Sequence, residues 1–197
     1  MSDSSRTWLK WLQAASRVPF NRSGRAIMPR IVEHPPRPND VHLLDRKSLL
    51  RLLPALPLEY IHGLRAIELR ARTSEVGSPY AYYDGRHKLI RLFSVPYPDW
   101  PWQAQHLRPG SSLDACGAVL VTHGDECFLH WSGQKAAARF FFSFVLAHEL
   151  GHHHAYQYKH KRRLPGSPRA HEDRAEAVVM QMRAWRIFNR IFGSEDT

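Results

Sequence analysis

One segment of the sequence combines residue types that could hold a metal ion and activate water. It reads His148-Glu149-Leu150-Gly151-His152. Residues four positions apart lie on the same face of an α-helix, so both imidazoles can reach one ion. Zinc binds histidine nitrogens at about 2.0–2.1 Å, and a helix holds two such ligands rigidly. Glu149 follows the first histidine directly, where it can accept a proton from a water that the metal activates.

An apolar run precedes this motif and indicates that its helix is largely buried. Residues 140–147 read Phe-Phe-Phe-Ser-Phe-Val-Leu-Ala. Burying two histidines and a glutamate on such a helix is costly unless they are paired or bind an ion. Gly151 within the helix costs about 1 kcal/mol relative to alanine. We therefore expect another element to pack closely against the helix at this glycine.

A catalytic zinc site needs a third protein ligand, and the last helical pattern of the chain supplies candidates. Ser167 and Pro168 are typical of a helix N-terminus. Glu172 and Glu176 are four residues apart and share a face of the helix that follows. We predict that Glu172 is the third ligand and that Glu176 accepts the N–H of a ligand imidazole. His171 is the competing third ligand, and both acids could instead be exposed and pair with nearby arginines.

The two motifs together resemble the gluzincin pattern of zinc metallopeptidases. In that pattern, HExxH is followed by Glu-x-x-Ala-(Asp or Asn) on a second helix, and here the second motif reads Glu172-Asp173-Arg174-Ala175-Glu176. The order of strand, hairpin and motif helix is similar to that of small single-domain gluzincins, including the ImmA/IrrE group. Glu176 stands where the family prefers Asp or Asn. The resemblance implies that Glu149 is the general base and that the zinc ligands are His148, His152 and Glu172.

Other histidine-based zinc sites fit the sequence less well. Ala155 and Tyr158 stand where a metzincin would have its glycine and third histidine, and no cysteine pair has the spacing of a zinc finger. No separate helix-turn-helix domain is apparent. His153 and His154 extend the motif to three consecutive histidines. We expect one of them to face solvent, the other to pack against the sheet, and neither to bind the metal.

Peptide hydrolysis also needs a hydrogen-bond donor for the oxyanion that forms on the scissile carbonyl. Gluzincins use a tyrosine or a histidine in this role, so the resemblance implies a donor of that type near the two ligand segments. The candidates are Tyr156 and His171, with Tyr158 and His160 in the same region. No fixed spacing selects one of them.

Hydrophobic periodicity predicts an α+β fold around these motifs. We expect a zincin-like domain in which a small antiparallel or mixed sheet packs on the motif helix and on the C-terminal glutamate helix. The predicted elements are a helix from Asp45 to Leu53, a strand near 64–72, hairpins at 80–93 and 117–131, and helices at 134–158 and 168–192.

A zincin also needs a strand edge that holds an extended substrate by main-chain hydrogen bonds. We expect this edge to come from the hairpin at 117–131 or from the strand Lys88–Phe93. The proline-rich loop at 94–114 would then shape or cover the cleft.

The length and the charge of the chain suggest one domain with a basic extension. The 197 residues are enough for one domain. We predict that residues 1–39 are a basic, proline-containing extension and linker, and that residues 40–197 form the metallopeptidase domain. The net charge is +10, and basic residues concentrate in residues 1–32 and 159–163. This charge favours nucleic acid or another polyanion as a partner.

Composition excludes several classes of protein. The apolar content of 43% is that of a globular chain, and no apolar run is long enough for a transmembrane helix. Cys116 and Cys127 are too few for a disulfide framework and favour a reducing compartment, which we expect to be the cytoplasm.

Three functional hypotheses follow from these observations. The first is a zinc-dependent peptidase that hydrolyses a protein or peptide substrate through a metal-activated water. The second is a catalytically inactive zincin-like protein that acts by binding. The third is a protease that its basic segments tether to nucleic acid.

Overall fold

The computed structural model describes residues 28–73, 79–97, 102–103, 113, 116–123, 126–162 and 167–193 of the chain. The predicted loop at 94–114 lies mostly outside the described residues. The strands are β1 (Arg30–Glu33), β2 (Asp40–Val41), β3 (Ala66–Arg70), β4 (Ala81–Asp84), β5 (Leu89–Phe93), β6 (Val95–Pro96), β7 (Trp102–Gln103), β8 (Ala118–His123) and β9 (Glu126–Trp131). The helices are α1 (Arg46–Leu52), α2 (Leu58–Ile61), α3 (Gln134–Phe140), α4 (Ala147–Arg162), α5 (Pro168–Met182) and α6 (Ala184–Phe192), with a 3₁₀ turn at Leu53–Ala55 and a π-helical segment at Phe141–Leu146.

The main sheet is mixed and has the order β1-β3-β5-β4. Strands β1, β3 and β5 are parallel, and β4 pairs with β5 in antiparallel fashion. Ile67, Leu69, Ile90 and Leu92 of the two central strands are buried, and polar residues alternate with them along the chain. This alternation is why the sequence favours strands here. The fold is thus α+β, with small sheets and several helices.

One of the two substrate edges that the sequence offers, the strand Lys88–Phe93, is not an edge of this sheet. β5, which contains nearly all of the segment Lys88–Phe93, lies between β3 and β4 and cannot offer a free edge. The two edge strands of this sheet are β1 and β4. The sequence of a hairpin does not show which of its two strands pairs with a third strand. Here β5 does so, through a parallel pairing with β3, which is distant in sequence.

The folded part of the chain begins before Asp40. β1 lies within the predicted extension, and it pairs with β3 along its whole length. Ile31 is buried, and the Arg46 guanidinium donates a hydrogen bond to the Ile31 carbonyl at 3.1 Å. A strand of four residues ahead of a proline-rich segment gives too little periodicity to be recognised.

The hairpin predicted at 117–131 is present as β8 and β9 in a separate sheet of order β7-β9-β8. Trp131 on β9 packs against Phe140 at 5.2 Å between ring centroids, which joins this sheet to the helices. Cys116 is buried, Cys127 is half-buried, and no disulfide bond joins them.

Both long helices begin as predicted but are not uniform. The first runs through α3, the π-helical segment and α4 without a gap, so the metal motif follows a π turn directly. The second ends at Arg183, whose left-handed backbone (φ 48°, ψ 43°) separates α5 from α6. After this turn, Phe188 packs against Phe142 at 6.1 Å. No glycine or proline marks the break in the sequence. Among the described helices, none has both the length and the apolar character that spanning a bilayer requires.

Candidate metal centre

The two motif histidines lie on one face of α4, as their spacing predicts. Their ring centroids are 4.6 Å apart and the rings are nearly perpendicular, at 88°. The Nε2 atoms of His148 and His152 lie 3.0 Å from each other. Both side chains are mostly buried, with about a quarter of each exposed. The two imidazoles therefore direct the same nitrogen toward a common point.

Glu172 on α5 completes a group of three potential ligands. One carboxylate oxygen lies 3.1 Å from Nε2 of His148, and the other lies 3.5 Å from Nε2 of His152. One ligand atom from each residue can be chosen so that all lie within 4.8 Å of one another. The carboxylate is 56% exposed. The group is thus open to solvent on the side of Glu172.

Two local features bring Glu172 to the histidines. Ser167 caps α5, because its hydroxyl oxygen accepts a hydrogen bond from the Ala170 N–H at 3.3 Å. One turn beyond Glu172, the helices touch at Gly151 and Ala175. A Cβ atom added at Gly151 would lie 2.7 Å from Cα of Ala175. The expected close packing at this glycine is confirmed.

The donor set fits a cation such as zinc. Two ligands of a tetrahedral zinc ion at about 2.0–2.1 Å from the metal are separated by about 3.4 Å, close to the 3.0 Å between the two nitrogens. Burial, together with the charge of His148, lowers the pKa of His152. His152 is thereby held in the neutral form that binds metal. Without a cation or a proton between them, the lone pairs of the two Nε2 atoms would repel each other at 3.0 Å.

Glu149 lies beside this group without belonging to it. Burial and the neighbouring carboxylate of Glu172 raise the pKa of Glu149 to about 7, against a hydrogen bond from the backbone N–H of Tyr83 that works in the opposite direction. A carboxyl group with a pKa near neutrality can both accept and return a proton at physiological pH. Its position and its pKa suit a general base.

Two cavities meet at the metal group and run along β4. One, of about 530 Å³, has largely apolar walls and lies toward Tyr80, Phe144 and Met180. The other, of about 670 Å³, is more polar and lies toward the turn after Asp84. Three residues line both cavities: Ala81, His148 and Glu149. The cavities are therefore two halves of one groove that crosses the metal group.

The two predicted oxyanion donors, Tyr156 and His171, both line the polar cavity together with His152 and Glu172. Tyr156 lies one helical turn after His152 and packs against Tyr83, with 6.0 Å between ring centroids. The side chains of Tyr158 and His160 lie outside the described part of the chain.

Glu176 occupies a different position from the one that the sequence suggests. Within the described part of the chain it makes no hydrogen bond to His148 or His152. It lines the apolar cavity instead, beside His148 and Glu149. Neither histidine ring is thus held by Glu176 in this arrangement.

His153 and His154 are both fully buried, so the expectation that one of them faces solvent is wrong. Nε2–H of His153 donates to the His62 carbonyl at 2.9 Å, which leaves Nδ1 to accept from the Tyr83 hydroxyl at 3.0 Å. Burial lowers the pKa of His153 to about 4, so its ring stays neutral. His154 packs against the ring of Tyr60. The run of histidines does not reveal that His153 ties the motif helix to β4.

A scan against protein-family models, a search of curated proteins and a search of solved structures found no match for this chain.

Proposed function

We propose that the protein is a zinc-dependent peptidase of the gluzincin type, with a zincin-like fold. The observation that carries the proposal is the convergence of His148, His152 and Glu172 beside an acid that is not part of the group, Glu149. Two imidazoles and one carboxylate are a ligand set typical of catalytic zinc. Calcium and magnesium prefer sites built from oxygen ligands alone.

The substrate would bind along β4 as an added strand. The carbonyl of Tyr80 accepts a hydrogen bond from Phe93 on β5, whereas the N–H of Tyr83 points away from β5, toward Glu149. Because backbone groups alternate in direction along an antiparallel strand, Ala81 shares the orientation of Tyr83. Its N–H and carbonyl are directed into the groove, where an extended peptide could pair with them.

The chemistry would then depend on a few side chains. His148, His152 and Glu172 would hold the zinc, which would supply a Lewis acid for activation of water and of the scissile carbonyl. Glu149 takes the proton from the attacking water and delivers it to the departing amine. Tyr156 or His171 donates a hydrogen bond to the oxyanion from the polar half of the groove.

The first test is the zinc content of the purified wild-type protein and of Glu172→Ala. We expect about one zinc per chain in the wild type and a clear loss in the variant. Asp173→Asn is the matched control, because it removes an exposed acid from the next position of the same helix. Full zinc in Glu172→Ala would assign the third ligand to another residue, with His171 the first candidate.

The second test separates catalysis from metal binding. Glu149→Gln should retain zinc and the thermal stability of the wild type, but cleave unfolded protein substrates about 10²–10⁴-fold more slowly. Undiminished cleavage by this variant would contradict the mechanism. If the zinc-loaded wild type cleaves no protein in a broad set of unfolded substrates, the alternative of a zincin-like binding protein is favoured.

A further inference from the structure

The apolar half of the groove is large enough to receive a substrate side chain. Its walls include Phe140 and Phe144 from the segment that leads into the motif, and Val179 and Met180 from α5. The two phenylalanine rings are stacked at 5.7 Å between centroids. A cavity of about 530 Å³ lies in the range of small-ligand sites. It opens directly beside His148, where a substrate bond would be cleaved.

The ionisable side chains of this pocket differ from those of the chain as a whole, which carries a net charge of +10. Glu149 and Glu176 line it, and none of its lining residues is a lysine or an arginine. The Glu149 carboxylate already accepts a hydrogen bond from the Tyr83 N–H and lies beside the metal group, so it is not the partner we expect for a substrate side chain. Glu176 forms no ion pair with any residue that the structure describes. Glu176 is exposed to solvent and lies next to apolar side chains. An acid in this setting favours a ligand that brings both a cation and an apolar stem.

We propose that this pocket is a specificity subsite for a basic substrate side chain, arginine before lysine, next to the cleaved bond. This inference rests on the proposed peptidase function and names its substrate class. The aliphatic stem packs against Val179 and Met180, and the charged group pairs with Glu176. Arginine is preferred because its planar guanidinium can also stack on the half-buried ring of Phe144.

Cleavage-site mapping tests the preference. The zinc-loaded protein is incubated with a proteome-derived peptide library, and the cut sites are identified by mass spectrometry. We expect arginine and lysine to be enriched at one fixed position adjacent to the cut. Glu176→Gln should reduce the arginine-over-norleucine ratio of kcat/KM in a matched peptide pair by about five- to tenfold. Glu176→Lys should shift the preference at that position toward glutamate. Asp173→Asn, which lies outside the pocket, should leave the profile unchanged.

A binding measurement keeps this inference separate from the proposed function. The same library is passed over immobilised, zinc-loaded Glu149→Gln, and the retained peptides are compared with those retained by the double variant with Glu176→Gln. Enrichment of arginine that depends on Glu176 supports the subsite even if the wild type cleaves nothing, an outcome that would count against the peptidase alone. Cleavage without enrichment, equal enrichment by both variants, or no retention of peptide would each overturn the subsite.

Discussion

Gly151 is the point at which the two helices that carry the ligands come closest. A Cβ atom there would approach the backbone of Ala175, at 2.7 Å from Cα and 2.9 Å from the carbonyl oxygen. Backbone atoms cannot rotate away as a flexible side chain can, so the helices must separate. Glu172 lies one turn before Ala175, and this contact therefore sets the distance between the carboxylate and the histidines.

We predict that Gly151→Ala destabilises the protein, although alanine is the better helix former by about 1 kcal/mol. Overpacking of about 1–3 kcal/mol should exceed that gain, and zinc affinity should fall because Glu172 moves away from His148. Chemical denaturation and a zinc titration with a competing chelator measure the two effects. Gly133→Ala is the control, since a Cβ at that residue meets no atom within 4 Å. A Gly151→Ala variant as stable as the wild type, with wild-type zinc affinity, would contradict the prediction.

At the scale of the elements, short sequence patterns correctly predict several strands and helix ends. Asp45 caps α1 by accepting the Ser48 N–H at 2.7 Å, as its position in the sequence indicates. The alternation of Ile67 and Leu69 with charged residues identifies β3 correctly. Pairing between strands that are distant in sequence leaves no local sequence pattern. The parallel β1–β3–β5 order and the position of β4 at an edge could therefore not be predicted from the sequence. The left-handed Arg183 and the buried His153 likewise depend on tertiary contacts.

The polar face of the main sheet holds a cluster of charges whose effect depends on pH. Glu68 accepts hydrogen bonds from Arg70 at 2.9 Å and from Arg91 at 3.2 Å. Burial alone would raise the pKa of Glu68, but the hydrogen bonds and charges of the two arginines outweigh it and lower the pKa below its ordinary value. The ionised form is therefore favoured in the folded state. The stability that it contributes is complete above the unfolded-state pKa and is lost as the pH falls through the folded-state pKa.

We predict that Glu68→Gln lowers the free energy of unfolding by about 1–2 kcal/mol at pH 7. The difference from the wild type should shrink as the pH falls below about 4.5, because Glu68 of the unfolded wild type then takes up a proton before the folded protein does. Urea denaturation at a series of pH values measures this. Glu33→Gln, at an exposed acid on the neighbouring strand β1, should have little effect at any pH. The prediction would be contradicted if the difference in free energy of unfolding between Glu68→Gln and the wild type stayed constant from pH 7 to pH 3.

For the whole molecule, charge is distributed very unevenly along the chain. Residues 1–27 hold five basic residues against one acidic residue, and residues 159–163 hold four basic residues and no acid. These two segments carry eight of the ten net positive charges, so the rest of the chain is close to neutral. Any affinity for a polyanion should therefore reside in short, separable segments and should not depend on the groove beside the metal group.

We predict that the protein binds double-stranded DNA of arbitrary sequence with an affinity that falls on the order of a hundredfold between 50 and 200 mM salt, the dependence expected for about four phosphate contacts. Replacing the four basic residues of 159–163 by glutamine should flatten this dependence, because fewer counterions are then released. A control variant carries glutamine at four exposed basic residues elsewhere, which are Arg37, Lys47, Arg186 and Arg190. Fluorescence anisotropy at several salt concentrations distinguishes the two. Binding that is absent, or equally weakened in both variants, would remove these segments as a tether. The peptidase proposal does not depend on this result, because none of the described residues that line the groove belongs to these two segments.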